Sequence, residues 1–297
     1  MNVNARVCLI GFGEVGQTLA ADLLAHDVRN LCAYDILFHD ADSGPRRAAA
    51  TMNVRTADAA RTAADGADVV ISAVTAEQDV AAARSVVQGF AADAFFLDLN
   101  SVSPGVKQRV AEVVEAAGAR YVEAAIMAPI APKRIASPML FGGPHAAAFL
   151  PLARELGFAG AQVFSDLIGR ASAAKMCRSV VIKGMEALLA ESLLTARRYG
   201  VEDAVIDSLQ NLFPASDWRV LARYMISRSL IHGRRRAEEM REVARTVDEA
   251  GLQPWMSRAC AQRQEWAAEF REAAATESLT PMLDQVLSLA SAEKPRC

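Results

Sequence analysis

The chain has 297 residues, a formal net charge of −3 and 52% hydrophobic residues. This balance is typical of a soluble globular protein with room for two domains, and it gives no basis for general binding to nucleic acid or to an anionic membrane. No apolar run approaches the ~20 residues of a membrane-spanning helix, and no signal peptide precedes the first strand. Five scattered cysteines without C-x-x-C spacing fit a reduced, cytoplasmic protein, and no set of side chains has metal-ligand spacing, so no metal is expected.

The first β-α unit of the chain carries a glycine-rich turn. A short strand pattern is followed by G-x-G-x-x-G, an apolar helix pattern and a second strand that ends in an acid. The first glycine allows a tight turn, the second lets backbone N–H groups approach a diphosphate, and the third lets the helix pack closely on the strand. The positive N-terminus of the helix also suits a diphosphate. The predicted cofactor-binding residues of this turn are Gly11, Phe12, Gly13, Glu14, Val15 and Gly16.

Asp35 indicates which dinucleotide is bound. It follows Gly16 by 19 residues, at the end of the second predicted strand. A carboxylate there would accept hydrogen bonds from both hydroxyls of an adenosine ribose, and it would repel the extra phosphate of NADP. NAD is therefore the expected cofactor. NADP stays open as the alternative, because Arg46 and Arg47 lie downstream in a position from which they could reach a phosphate.

The rest of the first half alternates short strand patterns with helical stretches. The later predicted strands lie near residues 54, 68–74, 95–98, 121–124, 139–141 and 162–164. Such alternation indicates a doubly wound, mainly parallel sheet of the Rossmann type, in which ligands bind beyond the carboxyl ends of the strands. We therefore expect Val74 and Thr75 after the fourth strand, and Asn100 and Ser101 after the fifth, to lie at the ligand-binding edge.

The sequence pattern changes after Ser165. One helical pattern runs from Leu167 to Tyr199, and further helices follow without a convincing strand. Breaks between helices are expected at Pro214, Gly233, Gly251, Pro254 and Pro281. We therefore divide the α/β chain into a Rossmann-type NAD(P)-binding domain, residues 1–165, and an all-helical domain for substrate binding and dimerisation, residues 166–297. The long helix between them would span about 50 Å, too much for one small domain to cover, so a homodimer is expected.

Lys175 is the candidate catalytic residue. Oxidation of an alcohol by NAD needs a group that takes the hydroxyl proton as the hydride leaves. Lys175, Ser179 and Lys183 follow an i, i+4, i+8 spacing on one helical stripe, and small residues precede Lys175. A second cation and partial burial would lower the pKa of Lys175 toward neutrality. The residues alone leave a solvated helix face open as the alternative.

The whole chain resembles the β-hydroxyacid dehydrogenase superfamily, which includes 3-hydroxyisobutyrate and 6-phosphogluconate dehydrogenases. Within it the chain resembles a 6-phosphogluconate-dehydrogenase-like branch whose C-terminal domain has a poorly assigned function. Besides the glycine turn, residues 98–104 are similar to D-x-S-T-x-S-P, residues 123–129 fall on D-A-P-V-S-G-G, and residues 169–179 fall on G-x-G-x-x-x-K-x-x-x-N. The resemblance implies that Lys175 is the catalytic lysine and that Ser101 lies near the nicotinamide ribose.

The substrate side departs from the family pattern. Met127, Ala128 and Pro129 replace Ser-Gly-Gly, and Ser179 replaces the asparagine that follows the lysine. The first change removes a hydroxyl and the glycine N–H groups that hold a substrate carboxylate, and the second gives a substrate hydroxyl a shorter partner. The substrates of the named relatives are therefore not carried over. His232 and Arg235 are candidates to clamp a substrate carboxylate instead. The alternative is that their basic run is a solvated helix face with pairs such as Arg235 and Glu239.

The sequence thus predicts an NAD-dependent oxidoreductase that interconverts a small hydroxy acid, or a related polar alcohol, with its carbonyl compound. Lys175 would be the general acid and base, and Ser101 would hold the cofactor. The expected substrate-binding residues are Asn100, Met127, Ser179, His232 and Arg235. Three alternatives stay open: an imine reductase, a sugar-acid oxidoreductase or isomerase on the same fold, and a non-catalytic NAD-binding sensor whose helical domain binds a partner.

Overall fold

Eight strands of the first half form one sheet in the computed structural model, which describes residues 4–212, 214 and 217–292. The strands are β1 (Val7–Ile10), β2 (Leu31–Tyr34), β3 (Arg55–Thr56), β4 (Ala67–Ser72), β5 (Phe90–Asp98), β6 (Arg120–Ile126), β7 (Met139–Gly142) and β8 (Ala161–Ser165). Their spatial order is β3-β2-β1-β4-β5-β6-β7-β8. Adjacent strands are parallel, except that β6 and β7 are antiparallel. The predicted doubly wound sheet is confirmed.

Helices connect the strands in the first half of the chain and form the second half. They are α1 (Glu14–Ala25), α2 (Gly44–Thr51), α3 (Ala60–Ala64), α4 (Asp79–Val86), α5 (Pro104–Ala116), α6 (Ile130–Lys133), α7 (Ala146–Glu155), α8 (Arg170–Tyr199), α9 (Glu202–Leu212), α10 (Trp218–Glu249), α11 (Trp255–Ala267) and α12 (Leu279–Ala292). From α8 onward the described residues contain no strand. The predicted all-helical second half is therefore confirmed. Among the described residues, no helix combines the length and hydropathy that a bilayer crossing requires.

The sheet is buried on both faces. Successive side chains of a strand point to opposite sides, so Leu9 of β1 packs in one apolar cluster with Leu19 of α1. Its neighbour Cys8 packs in the other cluster with Val110 of α5. Cys8 and Cys32 are both buried and free, as expected for core residues. Continuous burial explains why these strands are apolar runs rather than alternating patterns.

The chain forms two compact units, residues 1–176 and 177–297, which divide inside α8. The division lies 176 − 165 = 11 residues beyond the domain boundary that we expected from the sequence. The first unit contains the sheet and the start of α8, including Lys175. The second unit has its own apolar core, which includes Leu193, Ile226, Phe270 and Leu283.

Two expected helix breaks are wrong. Helix α10 continues through Gly233, where a Cβ atom would lie 2.2 Å from the carbonyl oxygen of Gln264. This glycine allows α11 to approach α10 closely rather than ending the helix. Pro281 lies in the first turn of α12, where its missing N–H would have had no partner within the helix. The long helix begins at Arg170 instead of Leu167, after Gly169 with its φ of +92°.

Candidate cofactor and catalytic site

The three glycines of the turn have three different surroundings. Gly11 has a φ of +93°, and a Cβ atom on it would lie 2.3 Å from the carbonyl oxygen of Ala73. A Cβ atom on Gly16 would lie 2.1 Å from the carbonyl oxygen of Gly11, so α1 packs closely on the turn. A Cβ atom on Gly13 would meet nothing within 4 Å. Because Gly13 also precedes the N-terminus of α1, this open space fits a diphosphate.

The carboxylate of Asp35 lies beside this turn. Its Oδ2 accepts a hydrogen bond from the Phe12 N–H at 2.6 Å, and its Oδ1 accepts one from the Leu37 N–H at 2.9 Å. A carboxylate offers about four lone-pair positions, so acceptor capacity for ribose hydroxyls is left. The side chain of Phe12 is fully buried and packs on Phe38, which leaves it no side-chain contact with a cofactor. Glu14, in contrast, is exposed in the first turn of α1.

The two arginines that could reach an NADP phosphate both have hydrogen-bond partners within the protein. Arg46 donates a hydrogen bond to Thr56 Oγ1 at 2.7 Å and lies over the ring of Phe38, 5.9 Å from its centroid. Arg47 donates to the carbonyl oxygen of Asp42. These contacts are compatible with either dinucleotide. The turn therefore fits a nicotinamide dinucleotide without distinguishing NAD from NADP.

Asn100 joins the two loops that follow β4 and β5. Its Oδ1 accepts the Val74 N–H at 2.7 Å, and its Nδ2 donates to Ser72 Oγ at 2.9 Å and to Asp79 Oδ1 at 2.7 Å. The residue is buried, with 4% of its surface exposed. Both amide hydrogens are thus used within the protein. These bonds do not support the substrate contact that we expected of Asn100, which stays a prediction. Val74 and the exposed Thr75 lie where we expected them, after β4 at the carboxyl edge of the sheet.

Lys175 lies at the same edge of the sheet. Its Nζ donates a hydrogen bond to Ser101 Oγ at 2.6 Å, and both side chains are half-buried. One turn earlier in α8, Ser172 donates a hydrogen bond to the carbonyl oxygen of Val102. The start of α8 is therefore attached to the loop after β5. Lys175 is thus adjacent to the serine that the family resemblance puts near the nicotinamide, and its catalytic role stays a prediction.

Glu123 fixes the beginning of α8 from the end of β6. Its Oε1 accepts the Ala171 N–H at 2.9 Å, and the residue is fully buried. A carboxyl group at this position satisfies a helix N–H that has no partner within the helix. Burial raises the pKa of Glu123, although the nearby charge of Lys107 and the backbone hydrogen bonds act in the opposite direction. Gly142 leaves space for this side chain, because a Cβ atom there would lie 2.2 Å from Oε1.

A buried ion pair that we did not predict lies behind the loop after β5. Lys107 Nζ lies 2.7 Å from Asp98 Oδ1, with side-chain exposures of 1% and 0%. Tyr121 donates its hydroxyl hydrogen to Asp98 Oδ2 at 2.8 Å, and the Asn100 N–H donates to Oδ1 at 2.9 Å. We refer to these residues together with Asp79 as the buried polar cluster. One pattern could have revealed it: only five of the 32 basic residues are lysines, and Lys107 is the one inside the apolar pattern of α5.

The predicted substrate residues of the second unit have partners within that unit. Arg235 Nη1 lies 2.6 Å from Glu239, so the expected alternative of an i, i+4 ion pair is the arrangement observed. His232 lies 3.0 Å from Arg228. Lys183 Nζ lies 2.5 Å from Glu239 Oε2, and this acid offsets the second positive charge that we expected beside the catalytic lysine.

Two further substrate residues stay predictions. Ser179 is buried in α8, one turn after the catalytic candidate. Met127 is half-buried, and its N–H donates to the carbonyl oxygen of Pro138 at 2.9 Å. That N–H is therefore not available as part of an amide cradle for an anion. Any contact of Met127 with a substrate has to come from its side chain.

Comparison with known proteins identifies both parts of the chain. A family model described as the NAD binding domain of 6-phosphogluconate dehydrogenase matches residues 6–164. A second model, a domain of unknown function (DUF1932), matches residues 196–267.

Relatives extend the match over most of the chain. A conserved hypothetical protein from Sinorhizobium meliloti 1021 is 37% identical, with a TM-score of 0.72 over 93% of this chain and 95% of that one. MTH1747, a conserved protein of unknown function reported to be structurally similar to 3-hydroxyacid dehydrogenases, is 31% identical, with a TM-score of 0.69 over 91% of this chain and 100% of that one. Human mitochondrial 3-hydroxyisobutyrate dehydrogenase is 22% identical over 71% of this chain and 63% of its own length. The chain therefore belongs to the family that carries the NAD-binding domain of 6-phosphogluconate dehydrogenase, here joined to a helical domain of unknown function in the 3-hydroxyacid dehydrogenase fold.

Proposed function

We propose that the protein is an NAD-dependent dehydrogenase that interconverts a small hydroxy acid, or a related polar alcohol, with its carbonyl compound. The observation that carries the proposal is the Lys175 amine, held 2.6 Å from Ser101 Oγ at the edge of a sheet whose first turn fits a dinucleotide. An amine in this position is a candidate proton acceptor beside the place where the nicotinamide is expected.

The chemistry divides between the cofactor and the lysine. When bound, the nicotinamide accepts a hydride from the alcohol carbon or returns one to the carbonyl carbon. In oxidation, the neutral amine of Lys175 accepts the hydroxyl proton, and in reduction its ammonium form donates a proton to the carbonyl oxygen. The Ser101 hydroxyl orients Nζ, and Glu123 holds the first turn of α8 so that the amine keeps its position. Because these contacts already hold the amine in place, less side-chain entropy is lost when it reaches the geometry of the reaction.

The proposal is tested with a panel of hydroxy acids and polyols supplied with NAD or NADP, with the absorbance of the reduced cofactor as the readout. We expect hydride transfer with at least one hydroxy acid. Product masses distinguish simple oxidation from decarboxylation, and an added panel of imines tests the reductase alternative. Tight NAD binding without hydride transfer to or from any compound would contradict the proposal and favour the sensor.

Replacing Asp35 by alanine is expected to reduce the preference for NADH over NADPH by about 10–100-fold, the value of charge-assisted hydrogen bonds to the ribose hydroxyls. The ratio of the two dissociation constants, from fluorescence titration, is the measurement, because a general weakening of binding cancels in it. Asp42→Ala removes an exposed acid from the following loop and should leave the ratio unchanged. An unchanged ratio in Asp35→Ala would show that Asp35 does not select the cofactor.

We also propose that the second unit forms a homodimer along α8. Val181, Leu188 and Tyr199 are 59%, 57% and 78% exposed, and their i, i+7, i+18 spacing puts them on one stripe of this helix. Exposed apolar residues in such a row are typical of a protein interface. Light scattering should give twice the 31.8 kDa mass of one chain. Leu188→Asp should shift the measured mass toward that of one chain. Leu252→Asp, at another exposed leucine, should leave the mass unchanged. A wild-type mass equal to one chain would refute the dimer.

A further inference from the structure

Asp79 is a buried carboxyl group with one oxygen that has no hydrogen-bond donor. It begins α4, at the end of the loop that follows β4, and none of its surface is exposed. Its Oδ1 accepts the hydrogen bond from Asn100 Nδ2 at 2.7 Å. Its Oδ2 is buried and lacks a partner within the part of the chain that the structure describes. An ionised carboxylate with an unsatisfied buried oxygen is costly, whereas a proton on that oxygen would make it a donor.

The group that faces Asp79 is a second carboxyl, Asp98. Asp98 receives three hydrogen bonds, from the Lys107 ammonium, the Tyr121 hydroxyl and the Asn100 N–H. Such donors stabilise a carboxylate, so the negative charge belongs on Asp98. Glu123 also faces Lys107 and Asp98 from β6. The charge of Lys107 is already matched by Asp98, and a second buried anion at Asp79 would have no counter-charge of its own.

The pKa of Asp79 agrees with this assignment. Burial is the main cause that raises the pKa of Asp79, to about 8, and the negative charge of Asp98 is the next. The charge of Lys107 and the hydrogen bond from Asn100 act in the opposite direction without cancelling these two effects. A protonated Asp79 can share a hydrogen bond with the neighbouring Asp98 carboxyl, which further favours the neutral acid.

We propose that Asp79 is held as a neutral carboxylic acid that donates its proton to Asp98, and that this bond fixes Asn100 between the loops after β4 and β5. Asn100 accepts the Val74 N–H and precedes Ser101, the partner of Lys175. Asp79 is thus a positioning residue for the cofactor edge. This last role rests on the proposed function, whereas the protonation state of Asp79 does not.

The proposal predicts how stability changes with pH. The unfolded chain releases the Asp79 proton near pH 4, the ordinary range of aspartate, whereas the folded chain keeps it to about pH 8. Between these values the folded state holds one more proton than the unfolded state, so stability falls as pH rises. One such group raises the unfolding equilibrium constant by up to about tenfold per pH unit, and its contribution is constant above the folded pKa.

Urea unfolding of the full chain at pH 5–8 measures this slope. Asp79→Asn keeps an acceptor for Asn100 and a donor toward Asp98 but cannot titrate, so it should lack the Asp79 part of the wild-type slope, up to about tenfold per pH unit. Glu77→Gln makes the same chemical change at an exposed residue two positions earlier and should keep the wild-type slope. Equal slopes in wild type and Asp79→Asn would overturn the neutral acid. Because no cofactor or substrate is present, this outcome would be independent of the proposed function.

Two further measurements complete the test. The first needs no variant, so it applies even if Asp79→Asn does not fold, and the second tests the positioning role. Carbon-13 labelling of aspartate carboxyls in the wild type should show one resonance that titrates between pH 7 and 9, and its absence would overturn the proposal. The dissociation constant of NADH should rise over the same range in the wild type and in Glu77→Gln, because an ionised Asp79 would repel the Asp98 carboxylate that accepts the Asn100 N–H. Asp79→Asn should remove this rise, and Asp79→Ala should weaken binding at every pH. A wild-type constant that does not change with pH relative to Asp79→Asn would overturn the positioning role.

Discussion

Lys175→Ala is expected to lower turnover by about 10²–10⁴-fold, the usual contribution of a positioned general acid or base. Its Nζ donates a hydrogen bond to Ser101 Oγ at 2.6 Å, on the loop after β5, whereas the glycine turn follows β1. The affinity for NADH should therefore stay near that of the wild type. The measurements are kcat with the substrate found in the panel and the dissociation constant of NADH by fluorescence.

Two variants serve as controls for Lys175→Ala. Lys133→Ala removes an exposed lysine from the same unit and should keep wild-type turnover. Lys175→Arg keeps the positive charge but stays protonated at any working pH, so it should lose turnover like the alanine variant. Retained turnover in Lys175→Arg would indicate an electrostatic role. Retained turnover in Lys175→Ala would remove this residue from the mechanism.

Lys107→Met should lower the free energy of unfolding by about 3–5 kcal/mol, since it leaves the buried Asp98 carboxylate without its counter-charge. Lys107 and Asp98 are 1% and 0% exposed, and methionine keeps the length of the side chain but not the ammonium. The loss is a large part of the total stability of an ordinary domain, about 5–15 kcal/mol. Urea unfolding followed by circular dichroism gives the difference.

The double variant Lys107→Met with Asp98→Asn separates the charge effect from packing. It removes both charges, so it should lose less stability than the sum of the two single variants. Arg258 and Asp248 form an exposed pair, with an N–O distance of 3.1 Å and exposures of 58% and 46%. Arg258→Met should therefore cost no more than about 1 kcal/mol. A similarly small loss in Lys107→Met would show that the buried pair does not stabilise the fold.

Local patterns were sufficient to predict the sheet and the glycine turn. The turn requires glycine at Gly11 and Gly16 because other backbone atoms lie where their Cβ atoms would be. Such steric requirements leave a spacing in the sequence that is visible without a structure. The family resemblance, rather than the i, i+4, i+8 stripe, carried the assignment of Lys175, and the observed Lys183–Glu239 pair shows that the stripe alone was a weak argument.

The composition of the buried polar cluster could not be predicted, although Lys107 inside the apolar pattern of α5 is a sign of a buried charge. Asp79, Asp98, Lys107 and Tyr121 come from four different elements. Only the pairing of β4 with β5 and of β5 with β6 brings them together. The helix break that we expected at Gly233 was wrong for a related reason. The role of this glycine depends on Gln264 in a later helix, so the sequence pattern around it resembles an ordinary helix end.

The hydrogen bond from the Phe12 N–H to Asp35 has a consequence for redesign of the cofactor preference. Exchanging the acid for a neutral or basic residue, the usual first step toward a phosphorylated dinucleotide, would also leave an amide of the glycine turn without its acceptor. The preference between the two dinucleotides and the overall affinity for either of them therefore both depend on the Asp35 side chain. An engineered switch has to bring a replacement acceptor, such as a serine hydroxyl at the same position, together with the new cation.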